Sequence, residues 1–175
     1  MAFTTGILYF FIYSFLGWCC ETVYCSVPAR RWVRRGFLFG PVYLLYGFGA
    51  ILILTLVAPF SHSLAIVFLG GIAVTTTAEY LFAWGADRFF GGRDWDYSGR
   101  KLQLHGRICL KNSLLFGCLA VAQVYLLHPV ISALVTAIPA KTQGMAAIAI
   151  VTVMLMDAVV SAGIRQKVLT NEGKE

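Results

Sequence analysis

Apolar residues in this chain form long, nearly unbroken runs between short polar breaks. They do not recur at the two- or 3.6-residue spacing of half-buried elements. Five runs approach or exceed the roughly 20 residues that a helix needs to cross hydrocarbon: residues 3–27, 36–58, 64–86, 113–138 and 144–164. The pattern predicts an all-α, polytopic membrane helix bundle of five spans in one domain, residues 1–175. Pro59 with Ser61-His62-Ser63 closes the second run, and Pro139 closes the fourth. Inside the second run, Pro41 removes a backbone donor, and Gly40 and Gly47 loosen the coil. A kink or short unwound stretch is expected there. Irregular backbone at that depth survives only under protein or beside a watery cavity.

Composition supports the pattern: 59% of the 175 residues are hydrophobic and 13% charged, where soluble domains run to about 25% charged. Mean hydropathy is +0.77. In a soluble protein a net charge of +6 would suggest nucleic acid, but here the cations are sided. Arg30, Arg31, Arg34 and Arg35 follow the first run. Arg88, Arg93, Arg100, Lys101, Arg107 and Lys111 lie in the 87–112 loop, and Arg165, Lys167 and Lys174 in the tail, against Lys141 alone on the other side. The positive-inside rule places the N-terminus outside and the loop and C-terminus in the cytoplasm of a bacterial plasma membrane. Membrane lipids, and not nucleic acid, are then the surroundings. The first run lacks a signal peptide's basic start and cleavage site, so it is expected to stay as a span.

Three runs each carry a lone carboxylate: Glu21, Glu79 and Asp157. Such a group costs roughly 2.5–3.5 kcal/mol at a helix centre. Each lies eight or nine residues before the next arginine of its belt, Arg30, Arg88 or Arg165. At 1.5 Å per residue all three fall about 12–14 Å from the charge belt. Tyr43 and Tyr46 of the second run reach the same level. Helical spacing puts Ser14, Gly17, Trp18, Glu21, Tyr24 and Cys25 on one side of the first span, and Thr75, Thr76, Glu79, Ala83 and Ala86 on one side of the third. Small and polar stripes of this kind face other helices. The acids either line a polar cavity or pair with Arg35 and Arg107 to hold helices together, and both can hold at once.

These residues carry a resemblance. Tyr13-Ser14-Phe15-Leu16-Gly17-Trp18 with Glu21, Arg35-Gly36-Phe37-Leu38-Phe39-Gly40-Pro41, Tyr46-Gly47-Phe48-Gly49, Glu79-Tyr80, Trp95-Asp96-Tyr97-Ser98 and Gly106-Arg107-Ile108 together resemble the putative ABC-transporter type IV family of small bacterial, permease-like membrane proteins. The likeness runs from about residue 9 to 118, with little in the fifth span. The chain departs from it at Leu44, Gln103 and Phe116, where family members tend to have Pro, Asn and Trp. The resemblance implies a permease without fixing a substrate. It marks Glu21, Arg35, Glu79, Asp96 and Arg107 as pattern residues, and adds nothing for Asp157.

Phe89, Phe90, Trp95 and Tyr97 interleave with Lys and Arg in the 87–112 loop. That mixture suits a headgroup-level segment folded over the cytoplasmic mouth, hinged at Gly91-Gly92, Gly99 and Gly106. The candidate substrate- or ion-binding residues are therefore Glu21, Arg35, Tyr43, Tyr46, Glu79, Trp95, Asp96, Tyr97, Arg107 and Asp157.

No nucleotide-binding lysine loop, nucleophile elbow or His-Glu-x-x-His motif occurs. His62, His105 and His128 are too scattered to form a ligand set, and the five cysteines read as small packing residues. No catalytic residue, metal or cofactor is expected. An ATPase that drives the protein would be a separate chain. A second permease subunit or a second copy of this chain are the other partners that so small a bundle invites.

Three functions remain. The first is a transporter or permease-like subunit whose acids bind a cation, a cationic solute or a proton. The second is a membrane enzyme for a lipid-linked phosphate, with Arg35 and Arg107 on the phosphate and Glu79 or Asp96 as base. The third is a non-catalytic assembly subunit. The absence of a metal-binding acid cluster or activated nucleophile weighs against the enzyme.

Overall fold

The computed structural model describes residues 2–93 and 95–172, without the side chains of residues 90 and 165–172. Lys174 and the side chains of Arg165 and Lys167, counted in the tail above, lie outside the described residues. Five helices make the bundle: α1 Phe3–Ala29, α2 Leu44–Phe60, α3 Leu64–Phe90, α4 Leu110–Thr136 and α5 Ala140–Glu172. Four of them are long and apolar enough to cross a membrane, and α2 is the shorter one. The chain is a multi-pass membrane protein.

The expected second span begins eight residues late. Its first part, residues 36–43, is irregular, and helix starts only at Leu44. Pro41 disfavours the helical region for Gly40 before it and has no N–H to donate. Each remaining N–H from Phe39 to Tyr43 has a partner. Phe39 and Gly40 donate to the Asp157 carboxylate at 2.8 and 2.7 Å, Val42 to the Gly40 carbonyl at 2.8 Å, and Tyr43 to the Ser14 carbonyl at 3.0 Å. The Arg34 guanidinium donates to the Phe39 carbonyl. Leu38, Val42 and Tyr43 are buried, while Phe39 and Pro41 are exposed, so protein covers this open backbone on one side.

Two helices widen just before a proline. In α2 a π-turn over Ile53–Val57 precedes Pro59, and in α4 one over Gln123–Leu127 precedes Pro129. A proline ring clashes with the carbonyl four residues back, here those of Thr55 and Tyr125, and the wider turn relieves the clash. The Gln123 amide crosses to the Ala50 carbonyl at 3.0 Å, tying the two irregular stretches together.

α1 packs closely on α2, and α3 on α4, while α5 is the least buried long helix. One close approach is at Gly17, where an added Cβ would fall 2.2 Å from Cβ and Cγ of Tyr46. Glycine there lets two backbones meet as small residues do in membrane interfaces.

The loop after α3 is folded. Strands β1 Gln103–Leu104 and β2 Ile108–Cys109 pair antiparallel, with Leu104 opposite Ile108. The connecting turn is closed by the Arg107 N–H to the Leu104 carbonyl at 3.0 Å. Both central residues, His105 and Gly106, have positive φ (54° and 65°), as tight hairpin turns prefer. A Cβ at Gly106 would collide with Ser98 Oγ at 2.4 Å and Asp96 Oδ1 at 2.6 Å, so glycine is what lets the hairpin lie on the Asp96–Ser98 turn.

Candidate functional site

Glu21 of α1 and Glu79 of α3 line one cavity of about 150 Å³, together with Tyr43, Tyr46, Trp95 and Tyr97. Tyr46 Oη donates to Glu21 Oε2 at 2.9 Å, and the Cys25 thiol donates to Oε1 at 3.5 Å. Tyr46 reaches Glu21 because Gly17 leaves room for its ring one helical turn away. Tyr97 Oη donates to Glu79 Oε1 at 3.0 Å and accepts a hydrogen bond from the Asn112 amide. Burial, and then the charge of Glu79, hold the Tyr97 phenol above its ordinary value, so it serves as a donor. Glu79 is 2% exposed, yet among the described residues its Oε2 has no hydrogen-bond partner. A buried carboxylate oxygen facing a cavity without a partner is costly.

Tyr97 reaches Glu79 because the loop is clamped at several points. Arg93 bridges Asp87 at 2.6 Å and Asp96 at 3.0 Å, and Arg107 meets Asp87 at 3.1 Å. Arg107 also donates to Tyr80 Oη at 3.1 Å, and Trp95 Nε1 donates to the Arg107 carbonyl at 2.9 Å. Asp87, Arg93 and Asn112 were not among the expected site residues. Asp87 lies eight residues after Glu79, on the same helical face, and Asn112 is the lone amide in the first turn of α4. Those two signals were available in the sequence.

Of the ten expected residues, six meet at the cavity: Glu21, Tyr43, Tyr46, Glu79, Trp95 and Tyr97. Arg107 pairs with Asp87 in the loop and not with an intramembrane acid. Arg35 Nε donates to Cys25 Sγ at 3.3 Å, so Cys25, expected as packing, links an arginine to Glu21. Asp96 Oδ1 accepts from Ser98 N–H and Oγ at 3.0 and 2.7 Å. Asp157 is the clearest departure: it caps residues 39 and 40 and accepts from Ser161 at 2.9 Å, away from the other two acids. His128 sits within α4 against Tyr13 Oη at 3.2 Å, and His105 against Tyr80 Oη at 2.9 Å. Among the described residues no His, Cys, Asp and Glu cluster could hold a metal.

Two predictions arise here. Asp157→Ala removes the charged acceptor of the Phe39 and Gly40 N–H groups and should cost about 1–3 kcal/mol, seen as a lower melting temperature in detergent. Asp96 is held down to a pKa of about 2, first by the Ser98 hydroxyl, then by the Ser98 N–H and Arg93. A depressed carboxyl lends stability above its unfolded value of 3.8, and that stability is lost as pH falls through about 2. Pepsin cleavage within residues 95–104 should therefore rise between pH 4 and pH 2. In Asp96→Ala it should already be high at pH 4, with little further change.

The family described as Putative ABC-transporter type IV matches residues 8–162 of the chain. The match reaches beyond the residue-118 limit of the motifs and takes in most of α5. No curated protein and no solved structure matches it.

Proposed function

The chain belongs to the putative ABC-transporter type IV family, and from that premise we propose that it is a permease-like membrane protein in which the Glu21–Glu79 cavity binds a cation or proton during transport. Two carboxylates from separate helices facing one small cavity, one of them with an unpartnered oxygen, carry this reading. Two like charges at one desolvated site repel, and a bound cation or proton relieves both the repulsion and the missing partner. Pairing of these acids with Arg107 is a weaker account, because Arg107 is engaged by Asp87. The Lys/Arg distribution supports placing the cavity in the inner half of a bacterial plasma membrane, N-terminus outside, with the 87–112 loop as its cytoplasmic cover. If nucleotide hydrolysis were to drive the transport, it would be supplied by another chain; the cation gradient alone suffices for the flux tested below.

The test is cation-driven flux in proteoliposomes holding a pH-sensitive dye, with Na+, K+ and methylammonium applied in turn. At least one should give a flux above that of bare liposomes. Glu21→Gln and Glu79→Gln should each lower it tenfold or more, with insertion unchanged. Flux at the wild-type rate in both variants contradicts the reading, as does no flux for any of the three ions.

A further inference from the structure

A second cavity, of about 480 Å³, lies between α2 and α3 beside the acidic one. Its walls include Phe82, Gly85 and Phe89, and it shares Tyr43, Leu45 and Trp95 with the acidic cavity. Phe89 and Leu81 at its edge are well exposed, so it opens toward the position of lipid. One set of three side chains thus separates an apolar groove from a pair of carboxylates. Tyr43 and Trp95 put two aromatic side chains at the junction, the surroundings that favour an organic cation over a hydrated metal ion.

We propose that the groove and the acidic cavity together form one binding site for a lipophilic organic cation, entered sideways from the bilayer between α2 and α3. The apolar body would lie against Phe82 and Phe89, and the charge would sit near Glu79. Charge complementarity selects this occupant. An ordinary acyl chain fills the groove without using the acids, and an anionic headgroup is repelled by them. The inference rests on the reading of Glu79 as a cation-binding group and adds the chemical class of ligand.

Gly85 supplies the discriminating variant. An added Cβ there meets nothing within 4 Å, and leucine is a far better helix former than glycine. Gly85→Leu should therefore fill the groove without disturbing α3 or the carboxylates. The full chain in detergent is titrated with radiolabelled tetraphenylphosphonium and, in separate samples, with radiolabelled tetraphenylborate as the anion of the same shape. Saturable binding is expected for the cation, absent for the anion, and weakened at least tenfold by both Gly85→Leu and Glu79→Gln. Saturable binding of tetraphenylborate with like affinity, unchanged affinity in Gly85→Leu, or no saturable binding of the cation overturns the proposal and marks the groove as an acyl-chain surface. If Glu79-dependent flux of the small ions persists beside such a result, only this proposal falls. If Glu79→Gln alters neither flux nor binding, the transport reading falls with it.

Discussion

Glu79→Gln should melt at a higher temperature than the wild type while losing cation flux. The wild-type side chain is buried with one oxygen unpartnered and a second carboxylate on the same cavity. Glutamine keeps the shape and the oxygen that accepts from Tyr97. It removes the charge, and with it the desolvation cost and the repulsion from Glu21. Stabilisation on the order of 1 kcal/mol is expected, the signature of a site that trades stability for activity. Thermal unfolding in detergent, run beside the flux assay on the same preparation, checks both halves. A variant that melts lower and transports normally would make Glu79 a structural residue.

Gly17→Val should prevent the bundle from assembling. The new Cβ would lie 2.2 Å from Cβ and Cγ of Tyr46, and because Cβ is fixed to the α2 backbone the clash cannot be relieved by rotating a side chain. α2 must move outward and carry Tyr46 away from Glu21. Even Gly17→Ala should cost about 1–3 kcal/mol, the usual range for overpacking, and valine more. Gly49→Ala is the control, because an added Cβ there meets nothing within 4 Å. Its melting temperature should match or exceed the wild type. Equal melting of Gly17→Ala and Gly49→Ala would contradict the close crossing of α1 and α2.

The residues that could be placed from sequence share a physical reason. Glu21 and Glu79 sit in regular helices, where rise per residue and a three-to-four spacing fix depth and face. Asp157 obeys the same arithmetic and is nevertheless elsewhere. Its partners, Phe39 and Gly40, are 118 and 117 residues away in sequence, and depth alone says nothing about rotation around a helix. Pro41 correctly signalled broken helix, but the length of the break depended on acceptors offered by Ser14 and Asp157. The loop's aromatic content marked it as folded. That Tyr97 would be the group to reach Glu79 depends on the hairpin turn at His105–Gly106 and on Arg93 holding both Asp87 and Asp96, none of which periodicity reveals.

Whether Glu21 and Glu79 act as one site is measured most directly by a double-variant cycle on small-cation flux. Groups that work as a unit are non-additive, so the second loss costs little once the first has been made. The prediction is that Glu21→Gln/Glu79→Gln is no slower than the worse single variant, at a protein density where a hundredfold loss remains measurable. Losses that multiply in the double variant would show two independent acids and contradict the shared cavity.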